Sequence, residues 1–528
     1  NASQSLPFKE RDWIVITDFE NQTEESIFDK SLNTAFTLSI SQSRYVNVIS
    51  RKRMLETLKR MKAGEEGFID EETGREIALR EGVNICIVPG ISRIGSGYIL
   101  TAKILDSQSA EILASEVIDA KERDDIIKQL DNMARKIRRN LGESSYMISK
   151  QNMPLSKVTT SSLDALKQFS LGLDYHIHMN FDEARIHYEN AIEIDSSFTA
   201  AKASLGNLLY EKFDRQKGIQ LLEEVMESID DLTMREKYSI LSKYAANVEN
   251  DLDKAIEYSN ILLELYPDNS TGYNNLGWYY QLKKEYGKAI EAYKTAIQID
   301  PYTMISYGGL IWIYQEYLAE IDSVKTWSKK LIDTDQENPW GYFYLGSAFA
   351  AQDSLEKAEK AFLKARDLDP DFKLNSYRLA HTYSCRKKYD KAIEILKILA
   401  ESGKDEVAYY YIGINYSLLG EFQKARNNFN FYLESAKEWI ELYPNMPQTY
   451  IQIGLVLTRL GERESGWETG RKALQIDSTL YFDFARLLAV QNRKTEALDA
   501  LTKALENGYL DLTWIKINPD LYSLHDEE

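Results

Sequence analysis

Cysteine is nearly absent from this chain of 528 residues: Cys86 and Cys385 are the whole complement. A disulfide framework and a thiolate metal site therefore have no material to be built from. Histidine is scarce, with five residues, and ten prolines beside 34 tyrosines suit packed helices better than disorder. No apolar run approaches the roughly 18 to 20 residues of a bilayer span, and no segment reads as a secretory signal. Basic charge is in deficit, at a net charge of -18. The deficit is uneven: residues 1–150 hold 22 Lys and Arg against 24 Asp and Glu, leaving 42 against 58 in the remainder. Nonspecific nucleic-acid binding by that acidic remainder is excluded on electrostatic grounds.

What the chain does have is a period of 34 residues, clearest at Tyr273, Leu276, Gly277, Tyr280, Ala289, Tyr293, Ala296 and Pro301. Apolar residues three and four apart give two successive helices a sticky stripe, and small residues sit where the pair crosses closely. Pro301 then stops the second helix, having no N–H to donate. This pattern resembles the tetratricopeptide repeat. It returns at Leu171, Gly172, Ala184 and Tyr188, at Leu345, Gly346, Ala358 and Phe362, and at Ile412, Gly413, Ala425 and Phe429, with fainter copies between. The spacing predicts about ten helix pairs over residues 163–508, an all-α superhelical solenoid. Gly218, Gly466 and Gly470 replace an expected alanine or aromatic, and Asn427 to Tyr443 reads as an over-long second helix.

Residues 11–142 read as a separate α/β domain with a mixed sheet and its helices on one face. Short β-branched runs at Trp13 to Phe19 and Val46 to Ile49 alternate with amphipathic helices, and strands follow at Ile85 to Ile94, Tyr98 to Asp106 and Ile112 to Ala120. Residues 1–10 are expected to be a tag scar and leader, 143–162 an irregular linker and 509–528 a tail. The missing methionine suggests a native segment cut from something longer. The stretches Ile14 to Asn21, Val48 to Arg51, Gly82 to Asn84, Val88 to Gly90 and Leu105–Asp106 resemble the domain of FlgO-like, CsgG-like and TolB N-terminal proteins. That version precedes tetratricopeptide arrays in bacterial membrane-anchored signalling proteins, among them serine/threonine kinases, adenylate cyclases and CadC-like regulators. Asp18 departs from the family, which usually has proline there.

Catalytic chemistry is not evident. Gly90, Gly95 and Gly97 lack the following helix that a dinucleotide loop needs and suit hairpin turns instead. His176 and His178 diverge on one helix, so a metal would require His187 or carboxylates from the next. His381 and Cys385 share a face without an acidic third member. No metal and no cofactor are expected. Asp18, Glu20 and Asn21 follow the first strand, a place where α/β sheets hold ligands, and form a candidate ligand loop. Basic clusters at Arg51, Lys52, Arg53, Lys59, Arg60 and Lys62, and at Arg135, Lys136, Arg138 and Arg139, suit a solvated helix face, with an anionic membrane or a partner as alternatives.

The stronger candidate is the groove of the array. First-helix positions off the packing stripe are Trp278, Trp312, Trp340, Phe343, Tyr344, Tyr377, His381, Tyr410 and Tyr411. Aromatics there offer large contact area at low entropic cost and are expected to hold a protein or peptide partner. The resemblance implies a non-catalytic sensing portion of a membrane-linked signalling protein on the extracytoplasmic or periplasmic side, with a cytoplasmic location as the alternative. A cell-envelope assembly or adaptor protein is the second possibility. Membrane attachment would run only through a preceding segment.

Overall fold

A computed structural model describes residues 8–61, 67–403, 405–509 and 511–525. The expected leader to residue 7 and Lys62 lie outside the described residues. The described chain forms an N-terminal mixed-sheet domain followed by a tetratricopeptide-like helical array. It divides into two compact units, Asn1–Glu285 with Gln298–Tyr302, and Tyr286–Ile297 with Thr303–Glu528. The boundary falls inside the array and not at the end of the sheet domain.

In the first unit, strands β1 (Trp13–Ile16), β2 (Glu20–Gln22), β3 (Asn47–Val48), β4 (Ile85–Ile94), β5 (Gly97–Asp106) and β6 (Ile112–Ala120) form one sheet. The order is β3-β1-β4-β5-β6, with β2 also paired to β4. Strand β1 pairs in parallel with β3 and β4, and β2 in parallel with β4, whereas β5 pairs antiparallel with β4 and β6. Gly95 takes φ +60 in the β4–β5 turn, a left-handed conformation that glycine adopts without penalty.

Helices α1 (Ser31–Ser41), α2 (Arg51–Met61), α3 (Glu71–Arg80) and α4 (Ile126–Asn140) cover this sheet on both faces. The two-residue period of the strands explains why. Ile14, Ile16, Ile85 and Ile87 pack with Leu32, Phe36, Leu130 and Ala134 of α1 and α4. Val15, Cys86 and Val88 between them point the other way, to Met54 of α2 and Ile77 and Ala78 of α3. The expectation of helices on one face is corrected: near-continuous apolar strands such as Ile85 to Val88 require cover on both.

The expected irregular linker is folded as well. Residues 143–162 contain α5 (Ser145–Gln151) and α6 (Leu155–Val158). Leu155 and Val158 join the sheet-domain core together with Leu163 and Leu166 of the first repeat helix. Arg138 is fully buried and holds Glu143 through two bonds of 2.8 Å, with Ser43 donating to the same carboxylate at 2.7 Å.

The repeats of the first unit comprise α7 (Leu163–Ile177), α8 (Phe181–Ile194), α9 (Thr199–Lys212), α10 (Arg215–Glu227), α11 (Met234–Asn247), α12 (Leu252–Leu265) and α13 (Ser270–Leu282), and α14 (Tyr286–Ile299) passes from one unit to the other. The second unit continues with α15 (Met304–Glu316), α16 (Ile321–Thr334), α17 (Pro339–Ala351), α18 (Leu355–Leu368), α19 (Lys373–Cys385) and α20 (Tyr389–Gly403). Then come α21 (Val407–Leu418), α22 (Phe422–Leu442), α23 (Pro447–Arg459), α24 (Arg463–Ile476), α25 (Tyr481–Val490), α26 (Lys494–Glu506) and the short α27 (Leu512–Ile517). Ser162, Asn180, Asp214, Asp251 and Asn269 cap helices with their side chains.

Three repeats close on a glycine of the first helix set against an aromatic ring of the second. A Cβ on Gly172 would lie 2.5 Å from Tyr188, on Gly346 2.7 Å from Phe362, and on Gly413 2.6 Å from Phe429. Where the second-helix aromatic is missing, the helices meet backbone to backbone. A Cβ on Gly218 would lie 2.8 Å from the Gly206 carbonyl oxygen, and one on Gly466 2.7 Å from that of Gly454. The over-long second helix is α22, with 21 residues.

Candidate functional site

The first helices of the repeats present the sequence-predicted aromatics in two different states. Trp278 of the first unit is 44% exposed, and Trp312 and Trp340 of the second are 40% and 43% exposed. Trp312 stands edge-on to Tyr317 at 5.1 Å, and Tyr317 stacks on Tyr286 at 4.4 Å. Trp340 leans on Phe372 at 4.5 Å and on Tyr344, which is partly exposed. These rings stay partly exposed after packing.

Phe343, His381, Tyr410 and Tyr411 are buried, and Tyr377 is partly buried. The expectation that they line an open groove is corrected. Phe343 is packed by Phe372 and Phe362 within the repeats. Tyr377 packs on His381 and Tyr411, and His381, Tyr410 and Tyr411 lie under residues 511–524, which run along the first-helix face of the second unit. Trp514 of that segment sits 4.8 Å from the His381 ring, 6.3 Å from Tyr411 and 4.9 Å from the Arg378 guanidinium. Thr513 donates to the Ser347 carbonyl of α17 at 2.9 Å, and Arg378 of α19 bonds Asp511 at 2.6 Å. Asp520 accepts from Tyr410 of α21 at 2.5 Å, from Arg459 of α23 at 2.6 Å and from Arg486 of α25 at 2.9 Å. Ser523 reaches the Ala489 carbonyl of α25 at 3.2 Å.

The electrostatics follow from this enclosure. Burial by itself would raise the Asp520 carboxyl, but the Arg486 and Arg459 charges outweigh it and hold the group below the usual carboxylate range. Burial, reinforced by the Arg378 charge, pushes His381 down to about 3, so it is neutral at physiological pH. Burial raises the Cys385 thiol to about 11 while Tyr522 lies 3.3 Å from its sulfur. A neutral, enclosed histidine beside a protonated thiol is poorly suited to nucleophilic chemistry. At the segment's start, burial first and then the Asp511 charge lift Glu316 to about 7. Sequence reasoning missed Arg378, Arg459 and Arg486. The available signal was three arginines on first helices of an otherwise acidic array, with Asp511 and Asp520 in an aromatic-rich tail.

The candidate ligand loop of the first unit is engaged internally. Asp18 accepts from Asn33 at 2.6 Å, from Arg51 at 2.9 Å and from the Ile69 amide at 2.7 Å. Glu20 and Asn21 belong to β2 and pair with Gly90 and Ile91, so they form strand rather than loop. The Asn21 side chain donates to Asp29 at 2.8 Å and accepts from the Thr23 hydroxyl at 2.6 Å. In the basic clusters Lys52, Lys59, Arg60 and Arg139 are exposed, as a solvated helix face requires, while several members have internal partners. Arg53 bonds Glu81 at 2.7 Å and the Ile299 carbonyl at 3.2 Å, Arg60 bonds Tyr302, and Lys136 pairs with Glu116 at 3.1 Å.

The three clustered histidines have separate partners: His176 meets Tyr188 at 3.3 Å, His178 the Asp174 carbonyl at 2.8 Å and His187 Gln168 at 2.7 Å. Among the described residues, no group of three or more His, Cys, Asp or Glu is placed to hold a metal ion. No described helix is long and apolar enough to cross a membrane.

Comparison with known proteins agrees on the repeat. Residues 270–302, covering α13 and α14, match the sequence profile of the tetratricopeptide repeat family. Protein bimA of Emericella nidulans is 30% identical over 102 residues, 19% of this chain, and the chain spans 12% of that relative's length. A tetratricopeptide repeat protein from Parabacteroides merdae is similar at 18% identity and a TM-score of 0.39, over 49% of this chain and 99% of that one. Yeast Tom70 is similar at 15% identity and a TM-score of 0.34, over 68% of this chain and 95% of that one.

Proposed function

We propose that the repeat array binds a protein or peptide partner, with Trp312 and Trp340 as anchors in the second unit and Trp278 in the first. The observation behind this is that three tryptophans on first helices stay about 40% or more exposed, although burying them would be favourable. Exposed indole faces on a rigid scaffold are the usual chemistry of an interaction hot spot. The first-unit candidate at Asp18, Glu20 and Asn21 is weaker, because Asp18 and Asn21 are already held by internal partners.

In this reading the chain is the non-catalytic binding part of a bacterial membrane-linked signalling protein, on the extracytoplasmic side. The support is the sequence resemblance of the N-terminal domain and junction. A cell-envelope adaptor is the second reading. The gene distinguishes them: a kinase, cyclase or winged-helix module with one membrane span favours signalling, and a lipoprotein signal favours assembly. Binding itself is tested by placing a photo-crosslinker at positions 312 and 340, with position 360 as control. Lys360 is exposed on a second helix. Adducts at the tryptophan positions alone are expected; equal or stronger capture at position 360 defeats the proposal.

A further inference from the structure

The segment 511–524 lies on the second unit in the manner of a bound peptide. Its contacts step across first helices α17, α19, α21, α23 and α25, and they combine Ile517, Leu521 and Leu524, buried in the apolar cores, with discrete charged and aromatic side chains. Asp511 is held by Arg378, Trp514 is boxed by His381, Tyr411 and Arg378, and Asp520 is shared by Tyr410, Arg459 and Arg486. A carboxylate held by two guanidiniums with fixed geometry is a recognition element, because Arg pairs with carboxylate in a directional fork. Burial of two arginines on one aspartate also makes the site selective for an anion: leaving Arg459 and Arg486 enclosed without a carboxylate is strongly unfavourable.

The fit of the segment is incomplete. Both ring nitrogens of His381, Nη1 of Arg378, the Ser347 hydroxyl and the Asn518 amide nitrogen are buried without a hydrogen-bond partner among the described residues. Buried polar groups are ordinarily paired, so a face with this many unmatched donors and acceptors under its cover is not optimised for that cover alone. Gly508 takes φ +90 after α26, the left-handed conformation that ends a helix and redirects the chain.

We propose that this face is a recognition site for a short partner segment carrying an aspartate among apolar and aromatic residues, and that residues 511–524 occupy it in cis until such a segment displaces them. The proposal rests on the reading that the array binds protein segments, and it specifies the chemistry of one. The chain's own sequence from Asp511 to Tyr522 provides the pattern: an acid that reaches Arg378, an aromatic three residues on, then Asn-Pro-Asp-Leu-Tyr with the aspartate on Arg459 and Arg486. Binding an external segment then competes with an intramolecular one at high effective concentration, so weak or mismatched segments are rejected.

Hydrogen exchange on the intact chain is the first test. Amides of 511–524 are expected to exchange at least tenfold faster than those of α19 and α21 beneath them, since the segment opens while the helices stay folded. Exchange only in concert with those helices makes the segment a fixed part of the fold and overturns the proposal. The second test adds a fluorescent peptide of the sequence 509–525 to the full chain carrying Asp520→Lys, which sets a third cation against Arg459 and Arg486. Binding at least tenfold tighter than to the unaltered chain, and weakened at least tenfold by Asp520→Asn in the peptide, is expected. A variant that is helical by circular dichroism yet binds no peptide overturns the proposal. Should Asp520→Lys fail to fold, Trp514→Ala in the full chain replaces it, with the same two outcomes. Crosslinking at positions 312 and 340 is independent of both tests: its survival alongside a fixed segment would reject this proposal and leave the binding function standing.

Discussion

The two units cover their repeats with the same Arg–Asp chemistry in very different surroundings. In the first, the sheet domain is tied to the array by Arg11 and Asn47 on Asp268, at 3.6 and 3.0 Å, with the Asp268 side chain 33% exposed. In the second, residues 511–524 are tied by Arg459 and Arg486 on Asp520, whose side chain is 0% exposed. Hydration decides what each pair is worth. A half-exposed pair exchanges water for a partner at nearly equal free energy, whereas breaking an enclosed pair strands charge in a medium that cannot screen it.

The largest effect that tests this contrast is Asp520→Asn against Asp268→Asn. The first is expected to cost about 3–5 kcal/mol and the second less than about 1 kcal/mol, read by urea denaturation and by local hydrogen exchange. Because the folded Asp520 carboxyl titrates below its ordinary value of 3.8, its contribution is present above that pH and is lost as pH falls through the lowered value. Equal costs for the two substitutions would remove the distinction between the units.

Glu316 gives the next effect, with the opposite sign in pH. It lies close to Asp511 and Arg378, accepts a 2.8 Å bond from Gln315, and is lifted from 4.5 to about 7. The folded state therefore holds a proton that the unfolded chain releases between those values. Stability falls as pH rises from 4.5 to 7 and is then level, by no more than about 3 kcal/mol. Glu316→Gln is expected to abolish that slope and to stabilise the second unit at pH 8. A slope unchanged in the variant would show that another group causes it. The first unit also holds a carboxyl raised by burial, Glu236, so only the part of the slope that Glu316→Gln removes is assigned to the second unit.

Much of this was legible in the sequence because periodicity reports packing. The ten helix pairs, the glycine–aromatic closure at Gly172, Gly346 and Gly413 and the long α22 follow from spacing alone, since each repeat must bury its stripe on its neighbour. The strands at Ile85 to Ala120 were equally plain. Strand β2 was hidden because Glu-Asn-Gln carries no β-branched or apolar residue, and its pairing comes from β4. The folded stretch 143–162 was masked by polar composition, although Leu155 and Val158 were enough to join the core. The site failed for a different reason. First-helix position predicts which face an aromatic points to, but not whether another segment covers it. Tyr410 and His381 have the same positional signature as Trp312, and only the long-range return of Asp511 to Leu524 separates them. Nothing in local pattern encodes a contact across 110 residues such as Tyr410 to Asp520.

The repeat cores themselves are expected to behave alike, which sharpens the contrast between the covers. Gly172→Leu in the first unit and Gly346→Leu in the second each force a side chain into an aromatic ring, Tyr188 or Phe362. Each is expected to cost about 1–3 kcal/mol by overpacking, read from the unfolding of the affected unit. A difference between them larger than about 2 kcal/mol would mean that the units differ in their cores and not only in what covers them.

The smallest effect concerns the turn from first to second helix, where a residue with positive φ recurs along the array. In the first unit Met179, Asn250 and Lys284 take φ values of 61, 55 and 61; in the second, Ala319, Asp353 and Lys387 take 52, 57 and 57, followed by Gly420 at 80 and Gly461 at 97. An L-residue with a β-carbon pays about 1–2 kcal/mol in this region. Glycine removes that cost but returns about half of it through the greater freedom of the unfolded chain. Met179→Gly and Ala319→Gly are therefore both expected to stabilise, by about 0.5 kcal/mol, with Gly420→Ala destabilising by a similar or somewhat larger amount. Matched gains at 179 and 319 would show that local backbone geometry is common to both units and independent of the cover. A gain at 319 with a loss at 179 would instead show that the first-unit turn relies on the Met179 side chain, and the comparison would then have to extend to the turns.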